Sequence, residues 1–280
     1  MKKNILGFLS LLLILFFVVG CKDSQKRNVS DNKTITVAAS PTPHALILEH
    51  VAPLLEKKGY KLVVKKFDDF IMPNKALASG DADANYFQHV PFFKKAVKEN
   101  NYKFSIAGAV HLEPMGLYSK NVKIIRDLKN GVTVVASDSV ADWGRVISIL
   151  KQAKLVEVKK GVDLENATFD DISKNPKHLK FLHNVKPEML VQIYNNQEDD
   201  LVAINSNFAY GAKLNPLKDS VVSESNNSPY VNIVATREGE EKSAKIKALI
   251  KVLHEKKVQD WILKTWGGSV KPVAANDWKK

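Results

Sequence analysis

Cysteine is almost absent: the 280 residues include one, Cys21. A single thiol excludes an internal disulfide and any set of thiolates around a metal. Arginine is nearly as scarce, since only Arg27, Arg126, Arg145 and Arg237 interrupt the lysines among 42 basic residues. The phosphate-cradling patterns G-x-G-x-x-G and G-x-x-x-x-G-K-[ST] do not occur, which removes support for dinucleotide and P-loop chemistry. The seven histidines contain no H-x-x-x-H or H-E-x-x-H pair. Asp81-x-Asp83-x-Asn85 opens like a calcium loop, but Tyr86 stands at the turn glycine and Phe92 at the bidentate glutamate. Ser148-x-x-Lys151 matches a β-lactamase pattern in letters only, falling mid-helix with no K-T-G after it. Zinc held by His44, His89 and His111 with an acid such as Asp69 is the weaker reading. No activated nucleophile or general acid–base pair declares itself. The expectation is a binding protein and not an enzyme, with no metal and no cofactor.

Long apolar runs are equally rare, and the one at residues 5–20 is the most informative stretch of the chain. Lys2 and Lys3 precede it, Gly20 ends it and Cys21 follows. A basic segment, an apolar segment and a small residue before a cut form a secretory signal. The run is too short for the roughly 20 residues that span a bilayer. With Cys21 immediately after the cut, the segment resembles the lipobox of bacterial lipoproteins, which implies lipidation of Cys21 and an extracytoplasmic, membrane-anchored protein. Val18 and Val19 fit that box more loosely than small residues would. Residues 21–33 are polar, without apolar period, and read as a tether.

The net charge of +12 is spread over pairs such as Lys57-Lys58, Lys94-Lys95 and Lys256-Lys257, as solvated faces place them. A nucleic-acid partner would call for a clustered basic stripe with interleaved aromatics, and none is expected.

From Ile35 the pattern alternates strand and helix. Ile35–Ala39 is a short apolar strand; Ile47, Val51, Leu54 and Leu55 share a helical face; Leu62–Val64 is a second strand, so the first two pair in parallel. Later strands are expected at Phe104–Val110, Val132–Ala136, Phe181–Leu182, Leu201–Ile204 and Val231–Ala235. Helices are expected at Phe92–Val97, Trp143–Gln152, Glu188–Tyr194, Glu240–Leu253 and Val258–Trp266. The segment from Asp81 to His89 breaks both periods and reads as a buried loop. Such alternation argues for an open α/β architecture, with ligands outside the carboxyl ends of strands. Ser40, Ser137, Asp138 and Asn205 all stand at such ends. Arg145 has a planar fork able to grip a carboxylate through two bonds. A surface pairing with Asp142 or Glu157 is the plainer alternative. Phe87 as plain core and His89 as a satisfied partner of a carbonyl are equally open.

The run Asp69-Phe70-Ile71-Met72-Pro73-Asn74, followed by Asp83-Ala84-Asn85-Tyr86-Phe87-Gln88-His89, resembles a signature of the methionine-binding lipoproteins of ABC importers, the NlpA type. Pro114–Ser119, Gly144-Arg145, Ala203–Asn205 and Ser228–Asn232 continue the likeness. The resemblance implies a two-lobe periplasmic-binding-protein fold, type II-like, with hinge crossovers. Residues 34–113 and 235–280 would form lobe I and residues 114–234 lobe II. It further implies that Arg145 clamps a ligand carboxylate while Asn205 and Asn232 hold carboxylate and ammonium. Tyr86, Phe87, His89 and Tyr118 would wall the side-chain pocket, with Tyr230 beside them. The implied ligand is methionine or a close analogue, delivered by a monomer to an ABC permease and its ATPase. Where the family shows N-D-P-[TS]-N-x before Gly-Arg, this chain has Asp138-Ser139-Val140-Ala141-Asp142-Trp143. The acid at Asp142 and the bulk of Trp143 leave a methionyl dipeptide, another apolar amino acid, or a surface adhesin reusing the fold as alternatives.

Overall fold

The structure is a computed structural model that describes residues 33–196, 201–225 and 228–279. The expected signal segment, Cys21 and the tether up to residue 32 lie outside the described residues.

The chain opens with β1 (Thr34–Ala39), α1 (Leu46–Glu56) and β2 (Lys61–Lys66), and the two strands pair in parallel from Thr34↔Lys61 to Ala39↔Lys66. Next comes α2 (Met72–Ser79). Asp69 Oδ1 starts it by accepting from the backbone N–H of Ile71 and Met72 at 2.6 and 2.7 Å. Pro73 sits in its first turn, and Gly80, at φ +87°, ends it in the left-handed conformation that glycine adopts without strain. β3 (Ala84–His89) follows, running parallel to β1. α3 (Val90–Asn100) starts on His89, whose Nδ1 accepts from Phe92 N–H at 3.2 Å, and β4 (Phe104–Leu112) closes the first pass.

The chain then crosses to a second sheet. In order come β5 (Gly116–Tyr118), β6 (Thr133–Ser137), α4 (Val140–Gln152), the small ribbon β7 (Glu157–Val158) and β8 (Ile172–Lys174), β9 (Lys180–Val185), α5 (Leu190–Asn196), β10 (Leu201–Ile204), α6 (Ser206–Gly211) and β11 (Val222–Ser223). It returns through β12 (Val231–Arg237), α7 (Ala244–Leu253), α8 (Lys256–Thr265) and β13 (Lys271–Pro272). The first sheet has the order β13-β4-β12-β3-β1-β2 and the second β11-β5-β10-β6-β9. Each sheet has its own core. Ile35, Val37, Leu48 and Tyr86 pack with Leu249 and Ile262 in lobe I; Leu117, Val134, Ile147 and Leu201 pack together in lobe II.

Two crossovers join the lobes; among the described residues 113–115 belong to one and 224–225 and 228–230 to the other, and Met115 and Glu224 stand side by side. Glu224 N–H donates to the carbonyl of Met115 at 2.8 Å, and Met115 N–H donates to Glu224 Oε2 at 3.2 Å. Ser206 Oγ closes a short hydrogen bond on the carbonyl of Pro114.

Two expectations need correction. The stretch read as a buried loop is strand β3 from Ala84 onward, buried on both faces. Its polar residues hid the strand because they satisfy one another. Asn85 Nδ2 donates to Asn74 Oδ1 at 2.8 Å, and Gln88 Nε2 donates to Asn74 Oδ1 at 3.0 Å and to Asn85 Oδ1 at 2.9 Å. The boundary expected between residues 234 and 235 falls inside β12, which lies wholly in the first sheet between β3 and β4.

Gly144 shows how tightly α4 is seated. A Cβ there would stand 1.9 Å from the carbonyl oxygen of Leu164, which is backbone and cannot swing aside. Gly144→Ala is therefore expected to lower the melting temperature by on the order of 10 °C, through overpacking of at least about 3 kcal/mol. A thermal denaturation curve superimposable on wild type would show that α4 can move freely.

Candidate functional site

The strand ends converge on a cleft between the lobes. β3 delivers His89 at its carboxyl end; β12 runs antiparallel to β3 and brings Asn232, at its start, opposite His89. From the second lobe, β6 leads into α4 with Arg145, and β10 leads into Asn205. A narrow cavity, open at its mouth, lies here. Phe70, Phe87, Gln88, His89, Phe92 and Asn232 line it from lobe I. Glu113 contributes from the crossover, and Arg145, Asn205, Ser206 and Asn207 from lobe II.

Arg145 is 3% exposed. Its Nε and Nη2 reach Glu224 Oε2 at 2.7 and 2.6 Å, and Nη2 donates to the backbone carbonyl of Glu113 at 2.6 Å. Neither expected surface partner, Asp142 or Glu157, takes that place. Burial works against the charge, and Glu224 outweighs it, so the guanidinium titrates above its ordinary value. The Tyr230 ring lies against the guanidinium, 4.7 Å from its centroid, and packs edge-on to His89 with centroids 5.0 Å apart. The fork's Nη1 takes part in none of these bonds.

Across the cleft, His89 Nε2 meets Asp142 Oδ1 at 3.0 Å, and Asn205 Nδ2 donates to Asp142 Oδ2 at 3.1 Å. Burial pushes the Asp142 carboxyl up, but His89, Arg145 and Asn205 together hold it below the usual carboxylate range. The acid at this position is thus not a bare charge, since it ties lobe to lobe. Trp143 turns away from the cleft: its Nε1 donates to the Ser137 carbonyl at 2.9 Å, and its ring packs on Phe169 and His183. Once these bonds are made, the two amides have opposite free ends. Asn205 Oδ1 is buried without a partner, whereas Asn232 has spent its Oδ1 on His44 Nε2 at 2.9 Å.

Five of the expected site residues therefore line one cavity: Phe87, His89, Arg145, Asn205 and Asn232. Tyr230 stands directly behind Arg145. Tyr86 and Tyr118 are elsewhere. Side chains alternate along a strand, so Tyr86 points with Ala84 into the core of lobe I while Phe87 faces the cleft. The Tyr86 hydroxyl ends on His111 Nδ1. Tyr118 is buried in a small core with Val135, Ile204 and Tyr194.

Sequence reasoning missed Phe70, Phe92 and Glu113 as site residues. Phe70 and Phe92 join Phe87 in a cluster with ring centroids 5.9–6.3 Å apart, and Phe208 closes on Phe70 from the second lobe at 5.3 Å. Phe70 lay in the quoted signature and Phe92 one turn past it, so the spacing of the three rings was the available signal. Of the zinc donors considered, His44 and His111 do come together, with Glu113 and not Asp69, all donor atoms lying within 4.8 Å of one another.

A pair of α/β lobes joined by two crossovers, with a buried cation, amides and aromatic rings facing a shared cleft, defines a solute-binding fold. Residues 35–274 match the NlpA lipoprotein family, and the chain belongs to it. The methionine-binding lipoprotein MetQ of Bacillus subtilis is 49% identical over 276 residues, covering 98% of this chain and 100% of that protein. A pheromone precursor lipoprotein of Enterococcus faecalis superimposes with a TM-score of 0.84 at 55% identity, covering 86% of this chain and 100% of that one. A nutrient-binding protein of Burkholderia cenocepacia, solved bound to methionine, gives a TM-score of 0.80 at 33% identity, over 85% and 99% of the two chains. Among the described residues no helix is long and apolar enough to cross a membrane.

The Asp142 contact has a pH signature. A carboxyl whose native value is depressed adds stability that is complete above its ordinary value, about 3.9, and is lost as pH falls through the native value. Asp142→Asn is expected to cost about 1–3 kcal/mol at neutral pH and to flatten the acid limb of stability below about pH 4. Urea titrations at several pH values check this; identical acid limbs for both proteins would mean the contact adds nothing to folding.

Proposed function

We propose that this chain is an extracytoplasmic solute-binding lipoprotein that captures L-methionine and hands it to an ABC permease driven by its ATPase. The observation that carries this reading is Arg145. It is an almost fully buried guanidinium in the wall of the same cavity that Phe70, Phe87 and Phe92 and the amides of Asn205 and Asn232 line. An amino acid with an apolar tail needs that set: one fixed cation for the carboxylate, neutral polar partners, and an apolar slot. Sulfur–aromatic contacts of about 0.3–1.5 kcal/mol each make Phe70, Phe87 and Phe92 a suitable wall for a thioether. The methionine in the Burkholderia structure and the name of the Bacillus relative support the same ligand.

Capture works by closure. A solute resting on one lobe makes half of its contacts, and approach of the other lobe supplies the rest and excludes water. Moving such an equilibrium from 1:99 to 99:1 requires about 5.5 kcal/mol of differential affinity. A charge-assisted carboxylate pair and a buried side chain supply about 1.5–3 kcal/mol each, and hydrogen bonds to the amides at about 0.5–1.5 kcal/mol each bring the total to that range.

Titration calorimetry with L-methionine tests the ligand. Arg145→Lys keeps the charge but not the fork that serves Glu224 and the Glu113 carbonyl together, and it is expected to weaken binding by at least about tenfold, or 1.4 kcal/mol. An unchanged dissociation constant would rule out the clamp. The anchor is tested separately: Cys21→Ser is expected to move the protein from the membrane fraction to the soluble fraction, and its retention on membranes would exclude lipidation at that thiol.

A further inference from the structure

The first strand begins on the side of lobe I that faces away from the cleft. β1 runs parallel to both β2 and β3, and His89 at the carboxyl end of β3 stands in the cleft, so the amino ends of these strands form the opposite face. Lys33 lies at that face: its carbonyl accepts from Lys61 N–H at 2.7 Å, beside the start of β2. The turn before β2 adds Lys57 and Lys58. Lys245 of α7 reaches the first strand from the side, its Nζ donating to the Thr34 carbonyl at 3.3 Å.

Carboxylates meet only some of these cations. Asp83 Oδ1 lies 2.7 Å from Lys245 Nζ, and Glu255 serves two lysines at once, Lys58 at 3.4 Å and Lys257 at 3.1 Å. Lys33, Lys57 and Lys61 are exposed, and among the described residues their ammonium groups have no hydrogen-bonding or ionic partner. Exposed Glu56, next to Lys57, offsets one of the three. A face with surplus positive charge fits an anionic surface. Lobe II also exposes lysines, among them Lys151, Lys154 and Lys180, but the route to the lipid singles out lobe I. Lys33 follows Cys21 by 12 residues, at most ~40 Å of extended chain, and that stretch carries Lys22, Lys26 and Arg27 against Asp23 and Asp31.

We propose that the face of lobe I formed by Lys33, Lys57 and Lys61 docks on the anionic phospholipid headgroups of the membrane that the Cys21 lipid enters. This rests on the lipoprotein reading above. Each lysine near such a surface strengthens binding about fivefold, so three supply roughly a hundredfold. That is too little to hold a free protein on a bilayer. A tethered one meets the surface at high effective concentration, where the same factor sets its orientation. Lobe I then rests on the lipid by the face opposite its strand carboxyl ends, and the cleft stays clear of the headgroups and open to solute.

The test uses the mature lipoprotein reconstituted through its own anchor into vesicles of phosphatidylcholine, alone or mixed equally with phosphatidylglycerol. An amine-reactive label and mass spectrometry read the modification rate of each lysine. In mixed vesicles at low salt, Lys33, Lys57 and Lys61 are expected to react at least about threefold more slowly than in phosphatidylcholine alone. Lys151, Lys154 and Lys180 are expected to react equally in both, and about 0.5 M salt is expected to abolish the difference. Lys57→Glu combined with Lys61→Glu is expected to free Lys33 in mixed vesicles while leaving methionine binding unchanged. Lys151→Glu combined with Lys154→Glu makes the same change in net charge and is expected to keep Lys33 protected. Equal loss of protection in both double variants would assign the effect to overall charge and overturn the proposal. The same spectra report the acyl mass on Cys21. If that mass is absent, the anchor reading falls and the docking face with it; a lipidated wild type whose three lysines react equally in both vesicles overturns the docking face alone.

Discussion

A guanidinium cannot remain charged in a protein interior without an anion beside it, and for Arg145 that anion is Glu224, 79 residues further along the chain. Much of the cleft follows from this pair. Glu224 belongs to the returning crossover and also accepts from Met115 N–H in the outgoing one, while Arg145 donates to the carbonyl of Glu113. The residue best placed to meet a ligand anion is thereby bonded to both connections between the lobes. Removing either partner would strand a buried charge, a loss of about 3–5 kcal/mol.

Fold and site were not equally legible in the sequence. Apolar runs such as Leu201–Ile204 gave strand β10 to the residue, because a strand buried on both faces has no polar positions to blur its ends. The same burial defeated the reading of β3, where Asn85, Gln88 and His89 are polar yet interior. Periodicity detects apolar side chains facing a core; it does not detect polar ones that have found each other. The expected domain boundary failed for a related reason. β12 enters the first sheet as an antiparallel neighbour of two strands, and nothing local in Val231–Arg237 says which sheet will receive it.

Within the site, residue types were legible and their directions were not. Tyr86 and Phe87 are adjacent aromatics in one signature, and only the phase of the strand sends the first into the core and the second into the cleft. Arg145 stood out because arginine is scarce, but its partner was hidden by sequence distance. Asp142 looked like a lone acid in a carboxylate site. Its pairing with His89 and Asn205 is a property of two lobes brought together, which no window of sequence contains.

The closed ring of amides formed by Asn74, Asn85 and Gln88 ties β3, which carries Phe87, to α2, with Gln88 itself in the cavity wall. Because these side chains hydrogen-bond one another, the strand carrying Phe87 is held in place before any solute arrives. Less conformational entropy then remains to be lost on capture, which favours tight retention from a modest number of contacts.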